Sequence, residues 1–397
     1  MEVTRCYKYR LYPTREQEAR FVQFAGCRRF VWNWALVRKQ AHFKATGKGI
    51  GFHALCAELV TLKKQPETAF LRECHSQVLQ QALLDLDRAF VAFFEKRARY
   101  PRFKSRKRTT HAFRITQNVT IGGQGVRIPK VGAVKAVIHR PTQGALKSAT
   151  VKQEAGGAWY VVLVAHVQLP NVAPTCERPA GLDVGLESFV TLSSGEKVAP
   201  PRFHRQGERK LKRLSRALSR CQQQSRRRVK AKARLARHHS RVVNRRNDWL
   251  HKLSARLVSQ HDTLCIEDLN LHGLARTKLA KSFSDAALST FLRQLEYKAR
   301  WSAGLVVKVG RYFPSSKTCH ACGHVQALSL SDRAWTCQGC GSEQDRDVNA
   351  ARNILTEGLK CWRLAATFAK ENLAGGTPDS QNARGADVRP ALEGSQR

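Results

Sequence analysis

The 397-residue sequence predicts a multidomain α+β protein. Three observations carry this reading. The hydrophobic period changes along the chain, from helical to alternating and then to a mixed α/β pattern. Two CxxCG knuckles lie close together in the C-terminal third. The chain is basic almost throughout, with 70 Lys+Arg against 30 Asp+Glu and a formal net charge of +40.

The elements follow in order. Residues 1–13, with YKYRLYP, alternate and predict a strand. Thr14 begins a helix, with Gln17 placed for a capping box and Pro13 suited to the turn before it. Helical pattern fills 14–102, where Leu79, Leu83, Leu86, Phe90 and Phe93 recur on one face. Asp85, Asp87, Arg88, Lys96 and Arg97 occupy the other. After PRFKSRKR the period changes, and from His111 to Pro170 the chain is rich in β-branched residues and glycine turns. Short strands joined this way predict a small barrel or sandwich. Asn171 to Pro179 reads as a linker, and an α/β pattern begins at Ala180. Phe203 to Asn247 is very basic, yet Leu211, Leu214 and Leu218 keep a helical stripe. That alternation predicts long helices whose outer faces meet phosphate, rather than a loose charged arm. The last residues, 368–397, are rich in Gly, Pro and small polar residues and predict a disordered tail.

Charge of this size repels itself unless a polyanion neutralises it, so a nucleic-acid partner is the direct reading. Solubility alone needs less. A membrane surface fits poorly, for there is no long basic amphipathic helix with a bulky apolar face. The segment WYVVLVAHV is too short to span a bilayer, and MEVTRCYKYRLYP lacks the apolar core of a secretory signal. The expected location is cytoplasmic, associated with the nucleoid.

Of the twelve cysteines, eight are scattered and four form pairs, Cys319/Cys322 and Cys337/Cys340. This is the pattern of a reducing compartment with one metal site. Each pair reaches one ion from a tight turn, and the glycine after it relieves crowding. Four thiolates would close a tetrahedral shell, so the expected zinc is structural. His320 and His324 are expected to be bystanders.

Acids are scarce, which makes three of them notable. Asp183 lies in the apolar AGLDVGLESFVTL, Glu267 ends TLCIEDLN, and Asp347 lies in QDRDVNAARNIL. Singly they read as a turn cap, a strand-end surface acid and a helix N-cap. Together, on a basic chain, they point to a shared divalent-metal site. Phosphodiester cleavage needs converging carboxylates, and oxygen ligands suit Mg2+ or Mn2+.

GLDVG, CIEDLN, the paired CxxCG knuckles and DRDVNAARNIL, in this order, resemble TnpB (OrfB), a protein of insertion sequences that is similar to type V CRISPR effectors. YKYRLYPTREQE, LQQALLDLDRAF and PRFKS extend the resemblance over nearly the whole chain except the tail. It implies a β-barrel wedge domain split by a helical recognition insert, followed by a RuvC-like, ribonuclease-H-like α/β nuclease domain carrying a zinc ribbon. The implied boundaries are 1–13 and 103–175 for the wedge, 14–102 for the helical insert, 176–314 and 344–367 for the nuclease, and 315–343 for the ribbon. The implied catalytic acids are Asp183, Glu267 and Asp347, where spacing alone leaves Asp345 as an alternative to Asp347. The family often has His directly before DRD; here that residue is Gln344.

The implied activity is RNA-guided cutting of double-stranded DNA beside a short flanking motif. A transposon-derived guide RNA would be held through its backbone and fold, with base pairing reading the target. Gln77, Gln80 and Gln81 lie where the family meets that motif, and Gln can bond adenine edges; the other reading is of plain surface residues. Lys104, Arg226, Arg227 and Arg228 are the basic residues expected to meet nucleic acid. The protein is expected to act as a monomer in its ribonucleoprotein. Two rivals stand beside this reading. One is a catalytically silent RNA-guided regulator, which would be expected to have lost an acid. The other is a transposase joining strands itself, for which no His pair followed by a helix-borne Tyr is found.

Overall fold

Alternation in the first residues produces a long strand, β1 (Glu2–Tyr12), with Tyr7, Tyr9 and Leu11 turned inward. The chain then enters a helix through a complete capping box. The Gln17 backbone N–H donates to the Thr14 hydroxyl, and the Thr14 N–H donates to the Gln17 side chain. This helix is α1 (Arg15–Thr46); α2 (Phe52–Leu62) and α3 (Ser76–Phe94) follow, with a 3-10 turn over Pro66–Arg72 between them. Leu79, Leu83 and Leu86 are fully buried on the face that helical spacing marks out. On the other side Asp85 pairs with Arg28 at 2.7 Å and Asp87 with Lys39 at 3.1 Å. The computed structural model describes residues 1–374 apart from 107, 108, 124, 171, 173, 275, 277–279 and 330.

Six further strands follow: β2 (Ala112–Ile115), β3 (Thr120–Gly122), β4 (Gly125–Ile128), β5 (Gly132–Val137), β6 (Ala145–Gln153) and β7 (Trp159–Gln168). They take β1 into one antiparallel sheet of order β2-β6-β7-β1-β5-β4-β3. The first strand is therefore central to a sheet whose other members come more than a hundred residues later, and the helices are an insertion between them. The sheet curls into a half-barrel. No ladder joins β2 to β3 among the described residues, so the barrel anticipated from the sequence is left open. Phe21 and Phe24 of α1 meet Phe113 and Trp159 on the sheet, with ring centroids 5.0–5.6 Å apart.

The remaining elements are β8 (Pro179–Asp183), β9 (Val190–Leu192), β10 (Lys197–Val198), α4 (Phe203–Ser219), α5 (Arg226–Gln260), β11 (Thr263–Glu267), α6 (Leu271–Leu274), α7 (Ala280–Ala286), α8 (Leu288–Trp301), β12 (Leu305–Val309), β13 (Ala334–Thr336), β14 (Glu343–Asp345) and α9 (Arg346–Ala374). The second sheet has the order β10-β9-β8-β11-β12. Its β8, β11 and β12 run parallel, while β9 and β10 are antiparallel. The basic run forms α4 and α5 as its leucine stripe predicts. The chain divides into two compact units, 1–172 with 203–249, and 173–202 with 250 onward. Helix α4 and α5 as far as Trp249 thus group with the first unit, outside the expected 176–314 segment, while the end of α5 from Leu250 groups with the second. Among the described residues of 203–249 the buried apolar side chain is Leu211, whereas α5 buries Leu250, Leu253 and Leu257 past the boundary. Helix α9 continues to Ala374, beyond the expected tail start at 368; the rest of that tail lies outside the described residues.

Gly181 explains how α9 comes to rest on β8. A Cβ at Gly181 would sit 2.0 Å from the Ala351 carbonyl oxygen and 2.8 Å from Leu355 Cβ. Only a bare Cα lets the helix lie this close to the strand. Gly181→Ala should therefore lift α9 and lower stability by about 1–3 kcal/mol. Gly310→Ala, with open space around it, should change the melting temperature little. Thermal melts of the two variants check this, and equal melting would contradict the close-packing account.

Candidate carboxylate site and four-cysteine knuckle

Parallel pairing brings two of the three acids together. Leu182 of β8 is opposite Ile266 of β11, so the next step along both strands sets Asp183 beside Glu267, at neighbouring strand ends. Adjacent strands lie about 4.8 Å apart. Asp347 comes from the first turn of α9, one turn before Ala351, the residue that rests on Gly181. All three acids are half-buried.

Their electrostatics reflect this crowding. Burial, then the Asp347 carboxylate, then the Glu267 carboxylate push Asp183 up to about 7, and Arg346 only partly offsets them. Burial also raises Glu267, against a hydrogen bond from Ser315; the Ser315 hydroxyl donates to Glu267 Oε1 at 3.4 Å. Neither Asp183 nor Glu267 makes an ion pair among the described residues. Desolvated carboxylates that crowd one another and have no paired cation fit a site for a divalent ion.

Asp345 has a different role from its neighbour. Its Oδ1 accepts the backbone N–H groups of Asp347 at 3.1 Å and Val348 at 3.0 Å. It is the N-cap of α9, so the capping role weighed for Asp347 belongs to Asp345. Burial would raise the Asp345 carboxyl, but Lys197, 2.7 Å away, and these N–H groups hold it below its ordinary value. Asp347, freed from capping, faces Asp183 instead. Sequence reasoning missed Arg333. Its guanidinium lies 2.5 Å from Glu187 and 3.8 Å from Asp347 Oδ1. An arginine in a polar loop beside the knuckles gives no sequence signal of such a partner.

The four cysteines converge as their spacing predicts. The Sγ atoms of Cys319, Cys322, Cys337 and Cys340 all lie within 4.8 Å of one another. Each knuckle closes through its glycine, Gly323 N–H to the Cys319 carbonyl and Gly341 N–H to the Cys337 carbonyl, both at 2.9 Å. Both glycines have positive φ. Burial raises the Cys319 thiol, but backbone N–H groups of Cys322 and Ala321 and the Ser342 hydroxyl outweigh it and bring it to about 6. Such a thiol is readily made a metal ligand. His320 and His324 stay outside the cluster. The second ribbon strand, β14, ends at Asp345, two residues past the expected boundary, and Gln344 within it donates to the Ser342 hydroxyl.

The expected nucleic-acid contacts divide on inspection. Gln77 has its amide committed. Its Oε1 accepts from the Thr116 and Gln117 backbone N–H groups and the Thr116 hydroxyl, and its Nε2 donates to Gln117. It fastens α3 to the segment after β2 and is not available to a base edge. Gln80 is exposed and Gln81 half-buried. The Lys104 ammonium sits 3.1 Å from the Trp32 ring centroid, and burial together with nearby Arg28 pushes it down to about 8. That places it in a cation–π contact, unlike a solvated phosphate binder. Arg228 caps the end of α4 by donating to the Leu218 and Cys221 carbonyls. Arg226 and Arg227 remain exposed.

Known proteins resemble this chain in sequence and fold. Residues 161–278 match the family profile described as "Probable transposase", and residues 289–354 match "Cas12f1-like, TNB domain". Residues 1–48 match a profile described as "Helix-turn-helix domain", although here they form β1 and one long helix. Among solved structures, a Cas12f1–sgRNA–target DNA complex is similar with TM-score 0.54 at 12% identity, over 89% of this chain and 98% of that one. The mini-RNA-guided endonuclease CRISPR-Cas_phi3 gives 0.50 at 9%, over 90% and 92%. The fold is thus of the Cas12 class. A Streptomyces pristinaespiralis protein named "Putative RNA-guided DNA endonuclease" is 41% identical over 90% of both chains. The Escherichia coli protein InsQ, named likewise, is 35% identical over 92% of this chain and 95% of its own. The chain belongs to the TnpB (OrfB) family.

The Asp183 shift has a consequence for stability. Well below pH 3.8 its carboxyl is protonated in folded and unfolded chains alike. As pH rises from the ordinary 3.8 toward about 7, the unfolded chain releases the proton while the folded chain keeps it. Stability therefore falls through that window and stays lower above it. Asp183→Asn should melt about 5 °C higher than the parent at pH 8 without added divalent metal. The difference should close toward pH 4. Equal melting at pH 8 would contradict the crowding.

Proposed function

We propose that this chain is the RNA-guided DNA endonuclease of a transposable element, cutting DNA beside a short flanking motif by metal-dependent phosphodiester hydrolysis. The observation that carries this reading is the gathering of Asp183, Glu267 and Asp347 on a chain of net charge +40. The names of the full-length relatives support it. In this reading the half-barrel is the wedge domain, split by the helical recognition insert α1–α3. The second sheet with α9 is the ribonuclease-H-like RuvC core, and its parallel β8-β11-β12 flanked by antiparallel β9 and β10 suits that assignment. The four-cysteine ribbon is spliced in before α9 and would hold structural zinc.

Asp183, Glu267 and Asp347 would hold Mg2+ or Mn2+. Divalent ions in such a site supply a nucleophile from bound water and stabilise the leaving oxygen. The protein's part is to set Asp183 and Glu267 at neighbouring strand ends and to bring Asp347 beside them on the first turn of α9. The exposed cations of α4 and α5, Arg226 and Arg227 among them, hold the backbone of a transposon-derived guide RNA. Gln80 and Gln81 are the residues of the α3 face left to read the flanking motif on duplex DNA. The protein acts as a monomer within this ribonucleoprotein. A silent regulator is not favoured, because the three acids are kept and crowded.

Alanine at Asp183, Glu267 or Asp347 should each reduce cutting of a plasmid with a matched target by more than about a hundredfold, above the loss that outer-shell changes cause. Copurified RNA and magnesium are supplied, and guided binding should persist. Double variants should add little, since the acids act as one unit. Asp345→Asn, which keeps the cap, should cut nearly normally, whereas Asp345→Ala should cost about 1 kcal/mol of stability. Full cutting by Asp183→Ala would sink the site. Parent protein that binds its target but never cuts, with any divalent metal, would make the chain a regulator.

Metal analysis of the purified protein should find about one zinc per chain. Cys322→Ser should lower the yield of folded protein. Well-folded protein without zinc would contradict the structural assignment.

A further inference from the structure

The DRDVNAARNIL motif carries two asparagines, Asn349 and Asn353, that the carboxylate chemistry does not use. They lie four residues apart on one face of α9 and are 0% and 5% exposed. A buried amide needs partners, and both find them on the segment that leads into the first knuckle. Asn353 Nδ2 donates to the Ser315 carbonyl at 2.8 Å and the Thr318 carbonyl at 2.6 Å. Asn349 Nδ2 donates to the same two carbonyls at 3.5 and 2.7 Å, and its Oδ1 accepts the His320 N–H at 2.8 Å. Cys319, a thiolate of the knuckle, stands between Thr318 and His320. The two asparagines thus hold the base of the first knuckle to the helix that carries Asp347.

The same segment touches the other side of the site. Ser315 is 6% exposed, and its hydroxyl donates to Glu267. Glu267 is otherwise a strand-end carboxylate with a flexible side chain. The neighbouring acid, Asp268, is held away from it by Arg311 at 2.8 Å. Phe313, two residues before Ser315, packs with Ile354 and Val309, so the position of Ser315 is fixed from both the apolar and the polar side.

The geometry points to Ser315 as a positioning residue for Glu267, held in place by Asn349 and Asn353, so that the ribbon's base and the carboxylate site form one mechanical unit. The ribbon then does more than stabilise the fold: its first knuckle sets where one metal-binding carboxylate points. This rests on the metal-nuclease reading. Groups that hydrogen-bond a metal-holding side chain typically change metal affinity about 10–100-fold.

The test is made on the ribonucleoprotein, with Fe2+ in place of magnesium. Ascorbate and peroxide then cleave the polypeptide beside the bound ion, which reports occupancy without DNA cutting. Parent protein should be cleaved near residues 183, 267 and 347, and Asp183→Ala should not. Ser315→Ala should need about tenfold more Fe2+ for half-maximal cleavage while keeping one zinc per chain, and Ser315→Thr, which retains the hydroxyl, should restore the parent value. Asn353→Ala should shift the Fe2+ requirement in the same direction, and combining it with Ser315→Ala should add little, because both act through one hydrogen bond. Parent-like Fe2+ affinity in Ser315→Ala overturns the inference and leaves the nuclease reading intact. So does a Ser315→Thr variant as weak as Ser315→Ala. Absence of Asp183-dependent cleavage in the parent protein overturns the metal site, and the inference with it. Should Asn353→Ala fail to fold, the Ser315 pair decides alone, since it removes only a hydroxyl.

Discussion

Carboxylates gathered at one edge of a sheet repel one another, and everything around Asp183 works against that repulsion. Its position is set by backbone pairing, which side-chain electrostatics cannot undo: β8 and β11 are locked over four residue pairs before the acids are reached. Helix α9 is brought down onto the same strand by apolar contact across Gly181, and its first turn carries Asp347 with it. The crowding shows in a carboxyl raised toward neutrality. Binding a divalent cation relieves this directly. The cost of assembling the acids is met by the packing of the whole second sheet.

The scarcity of acids sharpens the contrast. On a chain with 70 basic side chains, acids readily find a cation. Asp85 has Arg28, Glu58 has Arg38, Asp268 has Arg311 and Asp345 has Lys197, all at 2.7–2.8 Å. Asp183 and Glu267, among the described residues, have none. Exposed pairs such as Asp268–Arg311 contribute little to stability, but they matter to the site by keeping neighbouring charges occupied elsewhere.

What was legible in the sequence is what short spacing dictates. The CxxCG pairs, the Thr14–Gln17 capping box and the leucine stripe of α3 each depend on residues within a turn or two, and the structure has all of them. The three acids were legible as a group because acids in apolar strands are costly and rare. Their convergence was not, since it depends on the register between strands some eighty residues apart. The exchange of roles between Asp345 and Asp347 turns on where α9 begins, a matter of one or two residues that periodicity does not resolve. Gln77 and Arg228 read as free surface groups because their partners, the Thr116–Gln117 backbone and the end of α4, are tertiary neighbours. The half-barrel's opening was likewise invisible, because alternation gives strand faces but says nothing of which edges meet.

The order of the chain acquires a physical sense from these contacts. A ribbon inserted in a loop is ordinarily free to be lost or replaced, since loops tolerate insertion. Here the insertion lies between Glu267 and Asp347 in sequence and touches both: Ser315 bonds Glu267, and Arg333 approaches Asp347. The ribbon's own closing strand ends in Asp345, the cap of the helix that bears Asp347. Folding of the cysteine knuckles therefore also fixes the start of α9. On the proposed reading, an ion that closes the knuckle and ions held by the carboxylates would act on one connected set of backbone and side-chain hydrogen bonds.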